Sequence, residues 1–195
     1  KDGYINIRVK PVRDVVDPFD QFQDITCCLD YLESEPAVDA CRIGIWGSSF
    51  GCGHAIYVAA CDERIKCMVA QVGGQSLANS LSDVGPSRAA EKSRGVYGSQ
   101  PPGIDAHETL VGKPDYAKMA RYIPNVHNIN VPSLLMDQED EELFDRTTQL
   151  PVLYEILKDK VPASYRTFPG KHYDIYEKNF KEGSKLARDW FIKYL

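Results

Sequence analysis

The chain has 195 residues, 43% of them hydrophobic, and a formal net charge of −5, which suits one ordinary domain with a sizeable core. An acidic balance with no run of Lys or Arg leaves no basic field to hold a phosphate backbone, so nucleic acid is excluded as an expected partner. No apolar stretch reaches the roughly 18 residues of a membrane span, and the six cysteines, confined to Cys27–Cys67, have neither zinc-site nor disulfide-framework spacing; the expectation is a soluble cytoplasmic protein with reduced thiols, no membrane partner, no metal and no other cofactor.

In chain order, "DGYINIRVK" near the start has room for at most one strand. The stretch "DPFDQFQDITCCLDYLESEP" sets Phe22, Ile25, Leu29 and Leu32 at helical spacing, with acids on the other face, Pro18 near its start and Pro36 past its end. It predicts an amphipathic helix. "CRIGIW" is a short β-rich run closed by turn residues, and "FGCGHAIYVAACD" is apolar in the helical period as far as Asp62. Together they predict a strand, a sharp turn and a helix. "KCMVAQVGG", "PSLLMD" and "ASYRTFPG" predict three more strands. "LFDRTTQLPVLYEILKDK" reads as a helix that Pro151 starts or kinks, and "NFKEGSKLARDWFIKYL" as a terminal helix. Strands alternating with helices predict a parallel sheet covered on both faces.

The connection from Gly74 to Asn130 is longer than a crossover between neighbouring strands needs. Rich in Ser, Gly, Pro and charge, it predicts a cap inserted at 75–130 between core segments 1–74 and 131–195. Helical turns are expected within it around "PSRAAEKSRGVYG" and "PDYAKMARYI".

At the first strand–helix junction, "GIWGSSFGCG" meets the pattern G-x-S-x-G with Gly47, Ser49 and Gly51. A strand reversing into a helix forces strained dihedrals on the serine, and small flanking residues let the two backbones pass. The hydroxyl is thereby raised above the sheet, and the Phe50 N–H at the helix start becomes a candidate oxyanion donor. A Gly-rich phosphate turn or a plain bend is the alternative, and the strand and helix flanks weigh against it.

A serine hydroxyl is a poor nucleophile without a base. His172, in "FPGKHYDIY", follows the last expected strand, where carboxyl-end loops of an open sheet collect active groups. His54 lies farther along the helix after Ser49 and is expected to be packed or on the surface; His107 and His127 fall in the cap. His172 is therefore the candidate base. "VPSLLMDQEDEELF" offers Asp137, Glu139, Asp140, Glu141 and Glu142 as the carboxylate that would hold its imidazole. The other four acids are expected to form a solvated turn.

The order serine, acid, histidine, carried by "GIWGSSFG", "VPSLLMDQEDEELF" and "FPGKHYDIY", resembles the α/β-hydrolase superfamily. More narrowly, "DPFDQFQDITCCLDYLESEPAVDACRIGIWGSSFGCGHA" and "GKPDYAKMARY" resemble the dienelactone-hydrolase-like and Xaa-Pro-dipeptidyl-peptidase-like esterases, which include fungal polyketide-processing hydrolases. The likeness runs from Asp17 to Leu195. It implies an α/β-hydrolase fold, mostly parallel, with helices on both faces and an inserted cap. In such esterases the acid falls nine residues after the proline that opens the strand and two before an apolar residue; the counts from Pro132 and from Leu143 both reach Glu141. Relatives often carry aspartate there, which leaves Asp140 as second choice.

The resemblance also implies N-terminal strands ahead of the helix at Pro18, and a loop after one of them that supplies a second oxyanion N–H. Residues 1–17 leave no room for these, so the N-terminal strands are expected to be missing. An N-terminal segment or a second chain is expected to complete the sheet, and a homo-oligomer is a separate expectation. The expected activity is hydrolysis of a small-molecule carboxylic ester by Ser49, His172 and Glu141 through an acyl-enzyme. An acyltransferase, a peptidase and a non-catalytic binding module are the alternatives. Trp46, Phe50, Tyr97, Tyr122, Tyr173 and Tyr176 are the aromatic residues expected near these loops, as pocket walls or as packing.

Overall fold

The computed structural model describes residues 15–74 and 113–195. "DGYINIRVK", "PSRAAEKSRGVYG", Tyr97, His107 and most of the expected cap lie outside the described residues.

A two-residue strand, β1 (Val15–Val16), leads into helix α1 (Pro18–Ser34). The Asp17 carboxylate caps this helix, accepting the Phe19 N–H at 3.0 Å, and Pro18 sits in the first turn, where a missing N–H is harmless. The expected apolar stripe is the packed face: Leu29 is buried, and Phe22, Ile25 and Leu32 lean on the same core. The helix ends at Glu35, whose extended backbone is what a residue before proline prefers.

Strand β2 (Ile43–Ser48), helix α2 (Phe50–Cys61) and strand β3 (Ile65–Gln71) follow as the strand, turn, helix and strand that the sequence predicts. Helix α2 is apolar almost all round, with Cys52, Ala55, Ile56 and Val58 at 0–1% exposure, because it is wedged between the sheet and α1. The main sheet is completed by β5 (Ser133–Gln138) and β6 (Ala163–Phe168), in the order β2-β3-β5-β6 with every pair parallel. Side chains alternate between two cores. Leu135 joins Ile56, Leu150 and Leu153 on one face, while Leu134, Met136 and Val69 join Ala187 on the other.

Residues 113–130 are the described part of the long connection. Strand β4 (Lys113–Pro114) pairs in parallel with β1, and the short helix α3 (Tyr116–Met119) brings Lys118 into an ion pair with Asp17. Farther on, Tyr122 is 1% and Ile129 0% exposed, so this stretch ends inside the main core.

The helix expected over "LFDRTTQLPVLYEILKDK" is shorter than its pattern. A 3₁₀ turn at Arg146–Thr148, capped by Asp145, comes first; Gln149 then breaks the path with φ −112° and ψ −108°, and helix α4 (Leu150–Leu157) carries Pro151 in its first turn. Proline starts the helix because its ring would clash with a preceding helical carbonyl. Helix α5 (Phe180–Tyr194) covers the second face through Gly183, Ala187, Trp190 and Phe191. Among the described residues no helix is long and apolar enough to cross a membrane.

Candidate active site

Because the sheet is parallel, the turns after β2, β5 and β6 emerge at one edge, and the candidate residues lie in those turns. Ser49 stands between β2 and α2 with φ 53° and ψ −122°, a conformation sparsely populated by residues with a side chain. It is fastened there by its own N–H, which donates to Gln71 O at 2.9 Å, and by Ser49 O, which accepts the Cys52 N–H at 2.9 Å. As the first residue of α2, Phe50 has an N–H without an intrahelical acceptor, at the positive end of the helix.

The two glycines of the motif are not equivalent. A Cβ on Gly47 would overlap Gly51 O and Ala55 Cβ, so strand and helix cross there with no room for a side chain. Apart from its chain neighbours and its own helix backbone, no described atom comes within 4 Å of a Cβ on Gly51, which corrects the expectation that both glycines are needed for the crossing. The second close approach is made from β3: a Cβ on Gly73 would overlap Ser49 O and Cys52 Cβ.

His172 opens a 3₁₀ turn, His172–Tyr176, after β6. Its Nε2 is 2.9 Å from Ser49 Oγ and its Nδ1 2.7 Å from Glu141 Oε2. A carboxylate can only accept, so Nδ1 carries the hydrogen and Nε2 is free to accept the serine proton. Both side chains are almost sealed from water, at 2% exposure for His172 and 0% for Glu141. The second Glu141 oxygen accepts the Leu143 N–H at 2.9 Å, which fixes the carboxylate in its own loop. Phe144 and Tyr173 stand edge-on to the imidazole, at centroid distances of 6.0 and 5.1 Å.

Asp140 is exposed and meets the histidine loop through its backbone, donating its N–H to Gly170 O at 3.0 Å. Glu139 and Glu142, like Asp140, are exposed after β5, as expected of a solvated turn, and both also meet neighbouring residues. Glu142 Oε2 accepts the His172 N–H at 3.0 Å, so a second carboxylate anchors the histidine through its main chain. Glu139 Oε1 accepts the Thr167 hydroxyl at 3.1 Å. Asp137 is fully buried, since it still belongs to β5.

Ser48, on the opposite side of the turn from Ser49, lies 2.6 Å from the Tyr176 hydroxyl and accepts from Gln71 Nε2 at 3.0 Å. These three line a cavity of about 190 Å³ on the α5 face with Trp46, Ile175 and Phe180. Burial raises the Tyr176 phenol. Trp46 and Tyr176 are among the aromatic residues expected near these loops, whereas sequence reasoning missed Ser48 and Gln71; the alternation Trp46, Ser48 along β2 is the signal that could have found Ser48.

Among the described residues, the other candidate histidines do not converge on the serine. His54 is buried: its Nε2 donates to Gln21 Oε1 at 3.1 Å and its Nδ1 accepts from the Tyr122 hydroxyl at 2.8 Å. Burial lowers it to about 4. Tyr122 is packing rather than pocket, stacked on Tyr57 at 4.1 Å. His127 is exposed on a 3₁₀ turn. Among the described residues, no group of three or more His, Cys, Asp and Glu side chains is arranged to hold a metal ion.

Residues 19–100 match the model of the prolyl oligopeptidase family. The chain is 26% identical over 220 aligned positions to an uncharacterized 31.7 kDa protein of the traX-finO intergenic region of Escherichia coli, covering 91% of this chain and 74% of that protein. A thiohydrolase of Eupenicillium brefeldianum is 38% identical over 58 residues, which are 30% of this chain and 19% of that one. In structure, the α/β hydrolase GrgF of Penicillium sp. sh18 superposes with a TM-score of 0.68 at 16% identity, over 94% of this chain and 74% of that chain. With its serine turn, acid loop and histidine loop following β2, β5 and β6 of one parallel sheet, the chain has the fold of the α/β hydrolases.

Proposed function

We propose that the protein is a serine hydrolase that cleaves small-molecule carboxylic esters through an acyl-enzyme. The observation that carries this reading is the continuous line from Ser49 Oγ to His172 Nε2, at 2.9 Å, and from His172 Nδ1 to Glu141, at 2.7 Å. Ser49 Oγ attacks the ester carbonyl as its proton passes to His172 Nε2, and the oxyanion faces the Phe50 N–H. The tetrahedral centre collapses, the C–O bond to the alcohol breaks, and His172 returns the proton to the leaving oxygen. Water then repeats the sequence on the acyl-enzyme, releasing the acid and restoring Ser49. Glu141 keeps Nδ1–H oriented and stabilises the imidazolium. Phe144 and Tyr173 beside His172 favour a substrate with an apolar or aromatic acyl group.

Two related readings share these steps and differ in the leaving group. The prolyl oligopeptidase match favours an amide, and the short likeness to a thiohydrolase favours a thioester. A panel holding p-nitrophenyl esters of graded chain length, an acyl thioester and a peptide p-nitroanilide separates them. The expected result is a burst of p-nitrophenol close to one equivalent per enzyme and the highest kcat/KM on an ester. Highest kcat/KM on the thioester or anilide transfers the assignment to that class.

A further inference from the structure

The acid loop is held to the sheet by side chains that the triad does not use. Arg146, at its far end, donates from Nε to Glu139 O at 3.3 Å, at its near end, and from Nη1 to the Tyr165 hydroxyl on β6 at 3.0 Å. A guanidinium has only donors, so Tyr165 accepts from Arg146 and its own O–H is left to donate. It does so to Asp137 Oδ2 on β5, at 3.0 Å. The line Arg146, Tyr165, Asp137 therefore has a fixed direction and ends on a carboxyl with no exposed surface. Its other oxygen, Oδ1, has no hydrogen-bond partner among the described residues.

We propose that Arg146, Tyr165 and Asp137 are positioning residues for Glu141, a strut that pins both ends of the acid loop to the sheet and transmits the charge of Asp137 to the Glu141–His172 hydrogen bond. The inference rests on reading Glu141 and His172 as part of the catalytic triad. Four titratable or charged groups face Asp137: Tyr165 from β6, Arg146 from the 3₁₀ turn, Glu141 from the loop and Cys52 from α2. Burial, opposed by the Tyr165 hydrogen bond and Arg146 and assisted by Glu141, pushes the Asp137 carboxyl up to about 7. Below that pH the proton sits on the otherwise unpartnered Oδ1. Above it, a second buried carboxylate repels Glu141. Oδ2 accepts from Tyr165 in both states, so the strut persists while its charge changes.

The test is the proton resonance of the His172 Nδ1–H bonded to Glu141, followed by NMR in the intact protein. In the wild type it should move in a step as pH passes through about 7, and Asp137→Asn should abolish that step. Tyr165→Phe, which keeps the ring 6.0 Å from Tyr154, and Arg146→Lys should displace or broaden the resonance at every pH. Each should lower kcat on the best ester about tenfold with KM unchanged, as a shifted acid does. Should Asp137→Asn not fold, the other two variants carry the test. A wild-type resonance and step retained in the folded variants, even with a lower Tm, overturns the proposal and leaves the strut merely structural. Because this readout needs no turnover, a wild type that hydrolyses nothing refutes the catalytic reading without deciding this one.

Discussion

Replacing Asp137 by Asn should alter the pH dependence of stability by an amount that follows from its burial. The side chain has no exposed surface, and desolvation, opposed by Tyr165, lifts its carboxyl from 3.8 to about 7. The folded protein then holds this proton more tightly than the unfolded chain does. Stability from this source is fully present below about pH 4 and is lost as pH rises through about 7. The span from 3.8 to about 7, at about 1.36 kcal/mol per pH unit, comes to about 4 kcal/mol. His54 works in the opposite sense. Burial lowers it from 6.5 to about 4, so its contribution is present above pH 6.5 and lost as pH falls through about 4, amounting to about 3 kcal/mol. The two nearly cancel in the wild type, and only a difference between proteins exposes either. Urea unfolding of wild type and Asp137→Asn between about pH 4 and pH 8 should show the variant gaining about 4 kcal/mol relative to wild type as pH rises. A difference that stays constant across that range would refute the reasoning, because it would mean that Asp137 ionises alike in both states.

Three further outcomes follow from the geometry of the site. Gly47→Ala should prevent formation of the serine turn, read as loss of soluble folded protein or of Ser49 labelling, whereas Gly51→Ala should fold and gain up to about 1 kcal/mol from helix propensity in urea unfolding. Glu141→Gln should lower kcat on the best ester by about 10² to 10⁴, and Asp140→Asn, exposed, should stay within about twofold. Exchanging residues 75–112 for a short linker should change the ratio of kcat/KM between long and short acyl esters by about tenfold or more, while the rate of Ser49 phosphonylation stays within about threefold. Equal losses in both would make that segment part of the reacting site.

The strands and most helices were legible because their signals are local. "CRIGIW", "KCMVAQVGG", "PSLLMD" and "ASYRTFPG" each become a strand, and the stripe Phe22, Ile25, Leu29, Leu32 is the face that α1 packs. Ser49 and His172 could be placed by motif and by position after a strand, and the distance of 2.9 Å between them is a consequence of parallel strand order. What was not legible depends on contacts distant in sequence. Asp137 looks like one more acid in a run, and only the register of β5 against β6 buries it under Tyr165. Glu142 meets the His172 main chain across 30 residues, and Ser48 meets Tyr176 across 128, with no local pattern to announce either. Gly51 shows the reverse case. The motif asks for a glycine, yet the close crossing falls on Gly47 and Gly73.

The most direct test of the central claim is to expose the folded protein to a fluorophosphonate and locate the adduct by mass spectrometry. The geometry predicts a single phosphonyl group on Ser49 Oγ, the hydroxyl 2.9 Å from His172 Nε2, absent from Ser49→Ala and retained in Ser48→Ala. An adduct on Ser48, or none on a protein shown to be folded, would contradict the assignment of Ser49 as the nucleophile.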